Sequence, residues 1–410
     1  RDRNARPFLD SADVVATRGT LDTSYHVSSD VELRNHFTLS DYSFDIVDGS
    51  DPTAPFVFAD TDGNRITNET LISFDPDSSA LAGIAGVYYV HQEQTDILFF
   101  VGPEETEDTQ DSLGIFAQAT FDLTDRLEMT GGLRYQYDRQ ERQGVFVFVP
   151  LDFTESFDAF LPKIALAYDV SNSTRIGVSV ARGFNPGGAT VDLDNGITNV
   201  FDAETVWTFD AFVRSRLFDD QLKLTGNVFY SDFEDYQRFT LTGFNPQTLE
   251  PIFQVGNVPE AEAYGVEISV EYDITPEITV FASGGLLEAN FSELVAEGIF
   301  DTFDFSRAPS VTAFIGINAR PLENLTLSSQ MRYSDGYFSE DDNLPENVID
   351  SYAVFDLSAR YDFERFSLYG YVENVGDNFY ETSVFTLFDG TQQGNLGAPQ
   401  RYGVGIEVSF

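Results

Sequence analysis

Apolar and polar positions alternate with a period of two from one end of the chain to the other, and helical periodicity is nearly absent. From Leu127 to Tyr137 one face reads Leu127, Met129, Gly131, Leu133, Tyr135 and Tyr137, while the other reads Glu128, Thr130, Gly132, Arg134 and Gln136. Just upstream, Leu113, Ile115, Ala117, Ala119 and Phe121 form a second such face, and Thr124-Asp125-Arg126 supplies a tight turn between the two. This predicts a hairpin with one apolar side. The pattern returns at Leu222, Leu224, Val228 and Tyr230 against Lys223, Thr225 and Asn227, and again from Leu325 to Tyr333. In the final ten residues Tyr402, Val404, Ile406, Val408 and Phe410 oppose Arg401, Gly403, Gly405, Glu407 and Ser409. Such an apolar dyad invites aggregation at a soluble edge, but it suits a strand with lipid on one face and water on the other.

Connections alternate in length. Short turns are expected near Ser28–Asp30, Pro76–Ser79, Thr124–Arg126, Ser171–Thr174, Asp219–Asp220, Ile274–Pro276, Pro321–Asn324 and Glu364–Arg365. Between them lie longer Gly- and Asp-rich connections near 47–63, 93–110, 144–156, 185–203, 241–258, 293–308, 339–349 and 378–398. Short turns at one rim and long loops at the other are the asymmetry of an outer-membrane barrel. The fold class expected is therefore all-β, a transmembrane antiparallel β-barrel of about seventeen strands. A complete single-chain bacterial barrel has an even strand number, so the odd count leads us to expect further strands upstream of Arg1.

Composition agrees. Aromatics make up 14% while the mean hydropathy is only -0.18, which supplies interfacial anchors without an oily interior. The longest apolar runs, such as Ile97 to Val101 and Val145 to Leu151, fall far short of the ~20 residues of a membrane-spanning helix. The chain opens on the polar Arg1–Arg6, unlike a secretory leader. There are no cysteines, and His26, His36 and His91 lie too far apart to make a ligand set, so neither a thiolate site nor a metal enzyme is expected, and no cofactor. A net charge of -45 argues against nucleic acid as a partner and concentrates in connections such as Glu104–Asp108 and Glu340–Asp342. No catalytic constellation emerges among the Ser, Asp and His residues, so no enzyme is expected.

Several stretches resemble the barrel of TonB-dependent outer-membrane receptors. They are Leu396-Gly397-Ala398-Pro399-Gln400-Arg401-Tyr402-Gly403, Val372-Glu373-Asn374-Val375-Gly376-Asp377-Asn378-Phe379-Tyr380 and Ala181-Arg182-Gly183-Phe184-Asn185-Pro186-Gly187-Gly188, with weaker support from Ala263–Glu267 and Gly131–Tyr135. The resemblance implies a barrel of twenty-two strands behind a plug, so residues 1–410 would be an N-terminally truncated β-barrel domain without its plug or first strands. It implies residence in the bacterial outer membrane and uptake of a scarce nutrient: a ferric siderophore, a cobalamin-like cofactor or a glycan. The partners implied are outer-membrane lipid, the TonB-ExbB-ExbD system acting through the plug, and the barrel assembly machinery, for which the terminal Phe410 would be a signal. A passive porin-type diffusion channel is the alternative, and an outer-membrane enzyme or adhesin a more distant one.

Candidate ligand contacts are the lumen-facing Arg134 and Arg332, which could instead pair with wall carboxylates; Arg182, at a strand end that opens into a Gly-rich loop; and the loop aromatics Tyr236, Tyr337 and Phe338, with Phe239 and Phe244. Asn374-Val375-Gly376-Asp377 reads as a structural turn with positive φ.

Overall fold

The computed structural model describes residues 9–48, 57–76, 79–99, 103–146, 149–192, 196–244, 251–296, 299–341, 343–386 and 392–408. One large antiparallel sheet dominates it. Of its eighteen segments, Ile299–Asp304 and Val311–Leu322 lie end to end along the same edge of Ile278–Ala296, so the wall is seventeen strands wide, as the pattern leads one to expect. Consecutive wall strands pair antiparallel, from Leu9–His26 against Val31–Asp48 to Phe366–Glu373 against Arg401–Val408. The eight short turns all stand where the sequence puts them, joining strands that end and resume at His26/Val31, Phe74/Leu81, Thr124/Leu127, Ser171/Thr174, Leu217/Leu222, Thr275/Ile278, Leu322/Leu325 and Asp362/Phe366; residues 77 and 78 lie outside the described residues. The turn after Leu217 puts Phe218, Asp219 and Asp220 at φ of 56°, 55° and 66°, the left-handed region that Asp tolerates better than most residues.

Register separates the faces. Directly paired residues share a side, so Met129, Leu166, Val178, Ala211, Val228, Val266 and Leu286 form one continuous apolar row. Residues one step along each of these strands, Thr130, Ala165, Ser179, Asp210, Asn227, Glu267 and Gly285, fall on the opposite face. The apolar row faces lipid and the intervening residues the lumen, which keeps charge out of hydrocarbon. Leu127, Leu133, Leu222, Leu224, Tyr402, Val404, Ile406 and Val408 fall on the outer face, while Glu128, Arg134, Lys223, Thr225 and Glu407 fall on the inner, as their alternation requires.

The long connections are a correction. Pro103–Thr124, Val149–Ser171 and Pro251–Thr275 run for 22, 23 and 25 residues, so most of 93–110, 144–156 and 241–258 is strand rather than loop. At ~3.3 Å per residue and ~45° tilt the longest strand rises about 58 Å, more than twice the ~25 Å apolar band. Above the membrane both faces meet water, so the apolar signal fades while backbone pairing continues. The 185–203 and 378–398 stretches contain hairpins of their own, Gly188–Asp192 with Ile197–Phe201 and Glu381–Thr386 with Gln392–Leu396.

Among the described residues, the first strand pairs on one side only, and so does the last. The consequence shows at Tyr402 and Val404, 79% and 92% exposed, where outer-face residues inside the wall such as Val228 and Leu133 stand at 53% and 50%. Phe410 lies outside the described residues.

Candidate lumenal site

The inner face carries a ladder of cations, several of them neutralised by wall carboxylates. Arg142 Nε donates to Asp108 at 2.6 Å, Arg175 Nη2 meets Glu128 at 2.5 Å, Lys223 meets Glu271 at 2.7 Å, and Arg360 Nη1 meets Glu407 at 2.7 Å. Arg332 belongs to this set. Its Nη2 lies 3.3 Å from Asp356 Oδ2, an oxygen that also accepts from Gln330, while Asp356 Oδ1 accepts the Asn374 backbone N–H at 2.9 Å. Arg332 thus braces a turn.

Arg134 differs. Among the described residues it makes no ion pair; its Nε and Nη2 donate to Gln136 Oε1 at 2.8 and 2.6 Å, and Gln136 in turn donates to Ser112 and to the buried Asp138. The guanidinium lies flat on the wall because the paired strand offers Gly114 there. A Cβ at that position would stand 2.3 Å from Arg134 Nη2. Tyr88 and Phe116 flank it, each ring centroid 5.8 Å from Cζ. The result is a cation held flat between two aromatic rings on the lumen side, with its charge not met by a carboxylate.

Further along the same strand, at Arg142, the Gly188–Asp192 and Ile197–Phe201 hairpin folds back over the inner face. Ala189 and Val191 pack on Leu151, Phe153 and Phe157, and the Ala189 carbonyl accepts from Arg142 Nη1 at 3.0 Å. Gly187 permits the fold-back, since a Cβ there would meet the Phe201 carbonyl oxygen at 2.4 Å. Between hairpin and wall is a cavity of about 380 Å³ with Ile97, Phe146 and Leu151 as apolar lining and Asp96, Thr106 and Arg142 as polar groups.

The remaining candidates are dispersed. Arg182 shares the parity of Ile176, Val178 and Val180 and pairs with Trp207, so it stands on the outer face rather than in the lumen, donating to Thr205 Oγ1 at 3.4 Å. Strand parity at this position was readable; the length over which the strand persists was not. Tyr236 is in a strand, not a loop, and its ring stacks on Phe305 at 4.8 Å. Phe239 and Phe244 continue that strand, and their side chains lie outside the described residues. Tyr337 and Phe338 form a two-residue strand with Val348–Ile349; the Tyr337 hydroxyl donates to the Thr382 carbonyl at 3.0 Å, and the Phe338 carbonyl accepts from the Arg307 N–H at 2.8 Å. Burial first, and then the neighbouring Tyr352 phenol, pushes the Tyr337 phenol up from its ordinary range. Asn374 is the structural turn expected: φ is 49°, and its side chain, 1% exposed, donates to the Asn378 and Ala398 carbonyls at 2.9 and 3.0 Å.

Sequence reasoning missed Arg238. Its guanidinium sits 4.9 Å from the centroids of both Phe291 and Phe305 and 5.6 Å from Tyr236, and it pairs with Asp341. These partners are up to 103 residues away in sequence, so no local pattern reveals them.

A family model described as "TonB dependent receptor-like, beta-barrel" matches residues 2–375. The pesticin receptor of Yersinia pestis is 23% identical over 318 residues, covering 74% of this chain and 44% of its own length. The chain therefore spans less than half of the curated relatives it matches. In fold it is similar to the crystal structure of the ferric yersiniabactin uptake receptor FyuA from Yersinia pestis, with a TM-score of 0.82 at 18% identity, covering all of this chain and 65% of that one. The siderophore receptor PiuA from Acinetobacter baumannii gives a TM-score of 0.78 at 16% identity, over 96% of this chain and 64% of that one. The family match does not favour the porin alternative.

Proposed function

Because this chain belongs to the TonB-dependent receptor β-barrels of the outer membrane, we propose that it forms the wall of a receptor that takes up a scarce metal chelate of the ferric-siderophore kind. The observation that carries the reading of ligand chemistry is the Arg134 platform. A guanidinium between Tyr88 and Phe116, with no wall carboxylate paired to it among the described residues, suits a ligand that is anionic and partly aromatic. A glycan would use aromatic faces without needing the cation, and a cobalamin-like ligand would not need its charge. Relatives that bear on this include a ferric yersiniabactin receptor and a ferric citrate transporter.

Two sheet edges with unpaired backbone groups cannot rest in hydrocarbon, where each costs several kcal/mol, so further strands of the same receptor would join them. A plug would fill the lumen and meet the TonB system.

The test uses the full-length receptor in detergent, with a ferric tris-catecholate and ferric citrate as anionic probes and cyanocobalamin for comparison. Arg134→Met should weaken binding of the anionic chelate by roughly 10- to 100-fold, the worth of a charge-assisted contact, while leaving the heat-modifiable mobility of the barrel intact. If no ferric chelate binds, or if cellular uptake continues after the gene for TonB is deleted, the proposal fails.

A further inference from the structure

We infer that the consecutive residues Gln237 and Arg238 join two lobes of the extracellular rim into one cooperative unit, so that whatever orders one lobe orders the other. The origin is a break in the strand pair Leu222–Phe244 and Pro251–Thr275. Pro259 stands opposite Asp235 and has no N–H to give the ladder, and Asp235 itself takes φ of 54°. Its carbonyl is met instead by Asn257 Nδ2 at 2.7 Å. The alternation slips there. Phe233 and Tyr236, three residues apart, contact each other at 5.1 Å between centroids, and Val258 and Ala261, also three apart, are buried in the same cluster. Beyond the slip, Gln237 and Arg238 point to different partners.

Gln237 holds the first lobe, the turn after Asn185 and the base of the Gly188–Phe201 hairpin. Its Oε1 accepts from Asn185 Nδ2 at 2.8 Å, its Nε2 donates to the Pro186 and Asp202 carbonyls at 2.8 and 3.0 Å, and its backbone N–H donates to Glu204 Oε2 at 2.8 Å. Each polar atom of the side chain is used. Arg238 holds the second lobe: Nη2 reaches Asp341 and Ser306 Oγ, Nη1 donates to the Tyr236 hydroxyl at 2.9 Å, and the planar group lies between Phe291 and Phe305. The side chain is 9% exposed, and its Nε has no partner among the described residues.

The second lobe is tied onward. Asn343 Oδ1 and Nδ2 bond the Asp304 backbone at 2.7 and 2.9 Å, Arg307 and Phe338 share a backbone bond, and the Ser339 hydroxyl accepts from the Val384 N–H at 2.8 Å. Arg238 therefore anchors segments from two long connections directly and, through Ser339, a third. Since Gln237 and Arg238 are adjacent on one backbone, neither lobe loosens without displacing the residue that holds the other.

Hydrogen exchange on the unliganded full-length receptor tests this without reference to any ligand. Asp341→Asn should raise exchange on the order of tenfold not only in 337–349 but also in 188–201, whose residues it does not touch, and Gln237→Ala should do the reverse. The turn at 217–222 on the far rim should not change in either. Arg238→Met, which keeps the stem between the rings, should match Asp341→Asn; if it fails to assemble, the other two variants still decide. Exchange that rises only in the lobe whose own contacts were removed would overturn the inference.

Discussion

A single-residue step along one strand should separate a lethal substitution from a harmless one. Val228 lies six residues past the turn-proximal Leu222, about 20 Å along the strand at ~3.3 Å per residue and about 14 Å up a wall tilted by ~45°, near the middle of a ~25 Å apolar band. Its paired neighbours Ala211 and Val266 offer no countercharge on the outer face. Val228→Arg should cost roughly 2 to 4 kcal/mol, or a 30- to 900-fold shift in the folding equilibrium. Asn227, one residue earlier, faces the lumen between Asp210, 3.3 Å away, and the paired Glu267. Asn227→Arg meets two carboxylates and water and should stay within about 0.5 kcal/mol of the parent. Urea unfolding of the full-length receptor in lipid vesicles, followed by the heat-modifiable gel shift, measures both. An Asn227→Arg cost equal to or above that of Val228→Arg would mean that the face assignment, and with it the whole register of the wall, is inverted.

Further expectations rest on other parts of the molecule. Asn374→Ala should destabilise by about 3 kcal/mol, because it leaves the Asn378 N–H and two carbonyls without their partner and keeps a left-handed φ, while a change at an exposed strand position such as Glu105→Ala should do almost nothing; urea midpoints compare them. Gly187→Ala should release the Gly188–Phe201 hairpin, since a Cβ would stand 2.4 Å from the Phe201 backbone carbonyl oxygen, which cannot swing aside as the neighbouring Phe157 ring could; protease cleavage of intact cells within 188–201 would report it. The Tyr337 phenol ionises above its ordinary value of 10.0, so its contribution to stability is complete below that value and is lost as pH rises through the folded-state value; Tyr337→Phe should flatten the alkaline limb of the unfolding curve, and an unchanged limb would refute the cause given. Phe410→Ala in the full-length receptor should lower the amount of heat-modifiable barrel in the outer membrane more than Glu105→Ala does, if the terminal aromatic acts as the assembly signal.

The alternation of side chains was enough to specify strand, face and short turn. Lipid outside and water inside impose opposite demands on neighbouring positions, so Leu127, Val228 and Ile406 could be assigned outward, and Glu128, Asn227 and Glu407 inward, before any coordinates. Asn374 and Asp377 announced their turn because few side chains accept a left-handed backbone and bond it locally. Above the membrane that opposition of demands ends. Both faces are wet there, the pattern no longer marks strand from loop, and the tall hairpins at 93–110 and 241–258 read as loops although backbone pairing carries them on. Arg134 was found as an inner-face cation, but the freedom from a carboxylate that separates it from Arg332 depends on the neighbours that register supplies, Gly114, Tyr88 and Phe116. Arg238, Phe291, Phe305 and Asp341 come from four segments, and only the tertiary fold brings them together, because a slip at Asp235 turns one strand end toward residues that the sequence holds 53 to 103 positions away.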